Sequence, residues 1–331
     1  MKYLFIILYS LSLFTISAQT KFNRKPTVDA ALDLLSTYTP SQKTLGHFAF
    51  TDTLRTSWSN LPMEQFNRKG LWLRDMTDSQ RLKIHALLRT VLSAEGYQKA
   101  ILIMQSDEGL HQRLTTANNL VLARIYGEDK YFTTIFGEPN ENKTWSFRFE
   151  GHHLSLNFSF SPVGVSCTPM FTGVNPALIT SGIRAGQYIL SEENEIGCEL
   201  FNSLSNTLKT KALISVHPKD ADVMTRTGKE SFLKSMQGVS YKEFSADQKN
   251  MVKRMIRAWV ENLTPALAKE KTQYIEKHLK DATFTWMGTN KTTELHYFRL
   301  YSPDFIIEFT NRDGGIYHYH SLWRNLGEEQ F

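Results

Sequence analysis

Five of the ten histidines fall in three strand-like runs. Trp145–Phe160 carries His152 and His153, Glu294–Tyr301 carries His296, and Gly315–Arg324 carries His318 and His320. Imidazole binds a metal or moves a proton near neutral pH without special help, so histidines gathered on neighbouring strands are one way to build such a site. His318 and His320 are two residues apart and point to one side of a strand, a natural bidentate platform. His296 is expected to reach the same centre from across the sheet. Glu308, on the strand between, offers a ligand or an acceptor for one. A histidine-rich shell with one open position suits zinc or copper, so one divalent metal of that kind is the expected cofactor. The bland alternative for each histidine is a half-buried structural residue that bonds backbone in an aromatic sheet.

The run Trp145–Phe160 contains a fault in its alternation. Trp145, Phe147 and Phe149 are apolar at odd positions, whereas Leu154, Leu156, Phe158 and Phe160 are apolar at even ones. The slip falls at Gly151-His152 and predicts a β-bulge, a device that re-aims side chains beside functional sites. With the slip included, Arg148, Glu150, His153, Ser155 and Asn157 share one polar face. A solvated sheet face is the simpler reading of the same pattern.

These strands need a scaffold, and the sequence divides helices from strands rather than alternating them. Helical spacing marks Lys25–Thr37 and the run after the capping box Thr77-Asp78-Ser79-Gln80. A further helix begins at Ser93 and is expected to reach about Gln105. Helices return over 192–204, over 206–214, from the second capping box at Ser245 to about Asn262, and over 265–279. Between the helical regions, strands are expected over 131–136, 145–160 and 164–169. Thr168–Pro176 reads as a turn because Pro169, Gly173 and Asn175-Pro176 interrupt regular structure. The C-terminus reads as a meander of strands 283–287, 294–301, 304–310 and 315–323, the last two joined by the hairpin turn Asn-Arg-Asp-Gly at 311–314. Segregation of this kind predicts an α+β fold: helical N-terminal and middle segments packed on a mostly antiparallel sheet that ends in a β meander.

Residues 1–18 read as a secretory signal peptide, with Lys2, an apolar stretch 3–14 and a small residue at Ala18; that core is too short to span a bilayer. The expectation is a single α+β domain over 19–331, exported to the periplasm or the extracellular space. No later run approaches membrane-spanning length. The formal net charge of +5 falls by one when Lys2 is removed, and basic and acidic residues are intermixed. That argues against nucleic acid as a partner, which would need a basic face, and leaves a small-molecule or cell-surface substrate. With 41% hydrophobic residues the chain has enough apolar mass for a substantial core. Cys167 and Cys198 are equally compatible with a disulfide in an exported protein and with two buried thiols. The zinc-protease HExxH pattern, the GxSxG elbow, the P-loop and GxGxxG are absent, and Arg324-Asn325 stand where a cupin's metal-binding glutamate would fall.

Three stretches also resemble a known family. Thr144–Phe160 with its GHHLSLN core (151–157), TPMFTGVNPA (168–177) and the C-terminal segment ending YHYHSLWR (317–324) are similar to the bacterial Domain of Unknown Function 3500 family, as is GLWLRDMTDSQRLKIHALLRTVLSAEGY (70–97) to its helical part. Many members continue past the last motif through a tail containing Asp, Gly and His, whereas this sequence ends at Phe331. The resemblance implies where a site lies and carries no reaction with it. The residues themselves support a metal-dependent enzyme. His152 or His153, His296, His318 and His320 are the expected ligands. Glu150 is the expected general base, Arg148 or Arg324 the group that binds a substrate anion, and Asn157, Asn175 and Trp323 further substrate contacts. Metal-assisted hydrolysis is the favoured chemistry and oxidative copper chemistry the next. The alternatives are a non-catalytic ligand- or glycan-binding protein using Trp145, Tyr319 and Trp323, and a metal-free His/Glu acid–base enzyme.

Overall fold

A computed structural model describes residues 21–59, 61, 66, 68–179, 185–215, 222–223, 236–313 and 318–329; the expected signal segment, Ile316 and Tyr317 lie outside them. The helices are α1 (Lys25–Ser36), α2 (Pro40–Gly46), α3 (Asp78–Arg89), α4 (Ala94–Thr116), α5 (Leu120–Ala123), α6 (Ser191–Ser203), α7 (Asn206–Ala212), α8 (Ala246–Val260) and α9 (Pro265–His278). Both expected capping boxes form: Thr77 and Ser245 each accept the backbone N–H three residues on, and Gln80 and Gln248 reciprocate. Helix α4 runs to Thr116, well past the expected end near Gln105. Its apolar stripe continues through Ser106, Asp107 and Leu110, all buried. The polar residues in that stripe hide the helix from a hydrophobicity pattern. Among the described residues no helix is long and apolar enough to cross a membrane.

The strands are β1 (His47–Phe48), β2 (Leu71–Trp72), β3 (Phe132–Phe136), β4 (Trp145–Glu150), β5 (Leu154–Ser161), β6 (Gly164–Ser166), β7 (Met170–Val174), β8 (Leu213–Ser215), β9 (Val239–Ser240), β10 (Thr283–Gly288), β11 (His296–Tyr301), β12 (Phe305–Asn311) and β13 (Tyr319–Asn325). They form one mostly antiparallel sheet in the order β1-β3-β4-β5-β7-β13-β12-β11-β10-β8, so the fold is α+β. The C-terminal meander pairs in sequence as expected. Two features differ from the sequence reading. Trp145–Phe160 is a hairpin rather than one bulged strand: β4 and β5 pair from Trp145↔Phe160 to Glu150↔Ser155. The turn Gly151–His153 produces the slip in alternation, and Arg148, Glu150, Ser155 and Asn157 still share a face because cross-strand partners do. Thr168–Pro176 is not a turn; its middle is β7, which joins the two β regions by pairing with both β5 and β13. Its prolines sit just outside the paired residues, where a missing N–H costs nothing.

The two faces of this sheet differ in kind. One is aromatic: Trp145, Phe147, Phe158, Trp286, Phe298, Phe309, Tyr319 and Trp323 join helical residues such as Leu34, Leu87, Ile103, Leu200 and Trp259 in one buried cluster. Rings stack across strands here, Trp145 on Phe160 at 4.6 Å and Phe298 on Phe309 at 5.5 Å between centroids. The other face carries Arg148, Glu150, Asn157, Gly173, His320, Glu308 and Tyr297. Truncating the aromatic face at its centre, Phe298→Ala, is expected to lower the unfolding free energy by about 3–5 kcal/mol. Denaturant titration checks this, with the midpoint falling and the slope unchanged.

Candidate metal centre

Three strand ends meet at one edge of the polar face. The β4–β5 turn brings His153, β7 brings Gly173, and β13 brings His320 with His318 just before it. One ring nitrogen from each of His153, His318 and His320 falls within 4.8 Å of the others. His318 Nε2 lies 3.0 Å from His320 Nε2 and 3.4 Å from His153 Nε2. The opposite nitrogen of every ring rests against a carboxylate. His153 Nδ1 is 2.6 Å from Asp107 Oδ1, His320 Nδ1 is 2.6 Å from Asp222 Oδ1, and His318 Nδ1 is 2.8 Å from Asp313 Oδ2. A carboxylate only accepts, so each Nδ1 carries a proton and each Nε2 is the atom turned toward the centre, a lone pair wherever the ring is neutral.

Protonation follows the same pattern. Burial, and then the neighbouring His318 and His320, hold His153 well below the ordinary imidazole range. Burial and then His320 bring His318 down to about 4 against the opposing pull of Asp313. Both are therefore neutral at neutral pH, the form that ligates metal. Asp107 is fully buried, which pushes its carboxyl up to about 6, and the Tyr131 hydroxyl donates to its other oxygen at 2.7 Å. Burial would also raise Asp222, but His320 and then Arg312 overcome it and hold that carboxyl below its ordinary range.

Two glycines make room for this packing. A Cβ on Gly173 would stand 2.9 Å from Cδ2 of both His153 and His320, so any side chain there spreads the rings. A Cβ on Gly151 would come within 2.6 Å of the Tyr131 ring that supports Asp107. Of the three rings His318 is the most accessible, with 14% of its side chain exposed against 1% for His153 and for His320. The centre thus opens on the His318 side.

The other residues singled out in the sequence fall elsewhere. His152 is buried beside the centre with its ring 4.1 Å from that of His153, but it stacks on Tyr126 and is not one of the converging group. His296 is on the opposite, aromatic face, because it pairs through Asn311 with Tyr319 while His320 alternates to the other side. There it stacks on Trp286 at 5.1 Å and lies 3.8 Å from Cys198 Sγ. Both cysteines are free and buried, and burial pushes each thiol up to about 12. Glu150 is engaged by Arg148 at 3.2 Å and by Arg68 at 3.5 Å. Arg148 itself is tied to Asn157 and to the carbonyls of Leu54, Arg55 and Ser57. These contacts give a base role for Glu150 and an anion-binding role for Arg148 no support. Glu308 accepts the Tyr297 hydroxyl at 2.5 Å, away from the centre. Arg324 is ion-paired with Glu329. Asn175 follows β7 and is half-buried. Trp145, Tyr319 and Trp323 are inside the core, at 0%, 1% and 0% exposure, and offer no surface to a glycan.

Residues 21–331 match the family described as Protein of unknown function (DUF3500). The chain belongs to the DUF3500 family. No curated protein and no solved structure matches it. In this DUF3500 chain the stretches 151–157 and 168–176, and the stretch 318–324 far from both in sequence, are the β4–β5 turn with the start of β5, the strand β7 with its flanks, and the strand β13 with His318 before it, which meet at the histidines. The three orienting aspartates were missed in the sequence. Asp107 had a signal, an acid in a buried helical stripe at i+3 and i+4 from Met104 and Ile103. Asp313 lay in a segment read only as a turn, and no motif in the sequence marked Asp222.

Two substitutions separate the roles. Asp222→Asn should weaken divalent-metal affinity by about 10–100-fold with the fold retained, as measured by competition with a metal-chelating dye. Glu150→Gln should leave metal uptake unchanged while costing about 3–5 kcal/mol of stability, because two buried guanidiniums lose their counter-charge.

Proposed function

We propose that the protein is a metal-dependent enzyme whose single divalent ion, zinc in the first instance, is held by His153, His318 and His320. One observation carries this reading. The Nε2 atoms of His153, His318 and His320 converge, His318 lying 3.0 Å from His320 and 3.4 Å from His153, an arrangement that a cation between them would bridge. Zinc–nitrogen bonds of about 2.0–2.1 Å in tetrahedral geometry place ligand nitrogens about 3.4 Å apart, which is the His153–His318 separation. The carboxylate behind each ring fixes its tautomer and raises its basicity, as ligating histidines generally require.

Such an ion with an open fourth position polarises a water or a carbonyl, and the chemistry this favours is hydrolysis. The chain's own part is to hold three imidazoles in place and leave access on the His318 side. A small-molecule or cell-surface substrate in an exported protein fits this reading, with export resting on the N-terminal segment 1–18.

Elemental analysis of protein reloaded with zinc is expected to give about one ion per chain, and His318→Ala/His320→Ala to lose it. Hydrolysis of a small activated ester should disappear on chelation and return with zinc. Wild-type protein that takes up no divalent ion in equilibrium dialysis would overturn the proposal.

A further inference from the structure

A cleft of about 240 Å³ opens between α3, α4 and the turn that follows α5. That is below the roughly 300–1,000 Å³ of drug-sized sites, so its ligand is smaller than those. Each helix gives it one face: Arg81 and His85 are four residues apart on α3, and Ile101, Met104 and Gln105 share a side of α4. Leu73 and Met104 form an apolar floor, with the partly exposed Ile101 beside them. Gln105 is exposed and lies about 200° around the helix from the buried Asp107. The cleft and the histidine centre are therefore on opposite sides of α4.

The cleft carries both signs of charge, on different elements. Arg81 donates from Nε to the Leu73 carbonyl at 2.9 Å, and its Nη1 stands 3.6 Å from Asp78 Oδ1. That pair contributes little, because it is loose and 96% of the Asp78 side chain is in solvent. The Leu73 bond aims the guanidinium and leaves Nη2 without a hydrogen-bond partner among the described residues. The acids Glu128 and Asp129 belong to the turn, whose backbone is tied down at both. The Glu128 N–H donates to Glu108 Oε2 at 3.3 Å, and the Asp129 carbonyl accepts the Arg74 N–H at 3.2 Å. Glu128, Asp129 and Gln105 are all exposed, and among the described residues none of their side chains has a hydrogen bond or ion pair. Lys130, next to Asp129, turns its ammonium to the Tyr126 carbonyl at 2.6 Å instead. His85 adds no charge near neutral pH: burial, and then Arg89, lower its imidazole from the ordinary value.

We propose that this cleft is a ligand site, separate from the histidine centre, for a small zwitterion: a free α-amino acid with an apolar side chain. Arg81 Nη2 and the Gln105 amide take the carboxylate, Glu128 and Asp129 take the ammonium, and the side chain rests on Leu73, Ile101 and Met104. An apolar floor with a few polar groups of fixed orientation is the usual make-up of a small-molecule site. The inference does not depend on a metal being bound.

Calorimetric titration with L-leucine, N-acetyl-L-leucine, L-leucinamide and glycine tests it, since the last three lack the ammonium, the carboxylate and the side chain in turn. Leucine is expected to saturate in the range up to about 10 mM, and each of the others to bind at least about fivefold more weakly. Gln105→Glu, an isosteric change at an exposed position, sets a negative charge against the ligand carboxylate. It should lower leucine affinity by more than about tenfold and leave leucinamide binding no weaker than in wild type, a split that mere distortion of the cleft would not produce. If that variant does not fold, Glu128→Gln takes its place, with leucine again weakened and N-acetyl-L-leucine unaffected. Binding should persist in His318→Ala/His320→Ala. Failure of leucine to saturate, any of the three analogues binding as tightly, an unchanged leucine affinity in the folded cleft variant, or loss of binding in the histidine variant would each overturn the proposal. None of these outcomes bears on whether the histidines hold a metal.

Discussion

The architecture turns on one electrostatic constraint: three imidazole Nε2 atoms are held close together. Left alone, the rings would be free to rotate and turn either nitrogen inward. They are prevented from doing so by three aspartates from unrelated parts of the chain: Asp107 on α4, Asp222 after β8, and Asp313 between β12 and β13. Each aspartate fixes a proton on the outer nitrogen of its ring and so commits the inner nitrogen to the centre. The supports are themselves held, Asp107 by the Tyr131 hydroxyl and Asp222 by Arg312 at 3.1 Å.

That constraint explains why the sheet has two unlike faces. The aromatic face supplies hydrophobic stabilisation, and its rings are large, buried and stacked across neighbouring strands. It underwrites a polar face on which the ion-paired Arg148, Glu150 and Arg68, and the hydrogen-bonded Tyr297 and Glu308, sit with little access to water. Buried ion pairs of this type contribute little net stability, and their retention fits a surface shaped for ligands. Strand β7 is the element that makes the two β regions one surface. It sets Gly173 between His153 and His320, where a single added carbon would force the rings apart.

Much of this was legible in the sequence, and the failures have physical causes. Histidines 318 and 320 follow from strand periodicity alone, since a spacing of two leaves no other arrangement. His153 was singled out by the break in alternation, although the break is a hairpin turn rather than a bulge: both shift the phase by one, and only the pairing of β4 with β5 distinguishes them. His296 was misplaced because its run shows its own alternation but not its register against β13, which puts it on the other face. Strand β7 was hidden by its bracketing prolines. The aspartates were least visible, because a carboxylate that supports a ligand from another segment leaves no local pattern, and only Asp107 betrayed itself as a buried acid in an apolar helical stripe. The α+β class depended on none of these details.

The central claim is that His153, His318 and His320 ligate one metal ion through Nε2. X-ray absorption at the zinc edge of zinc-loaded protein reads that shell directly. The account predicts four-coordinate zinc with three imidazole nitrogens at about 2.0–2.1 Å and one further light atom. A six-coordinate oxygen shell without the outer-ring scattering of imidazole would contradict it.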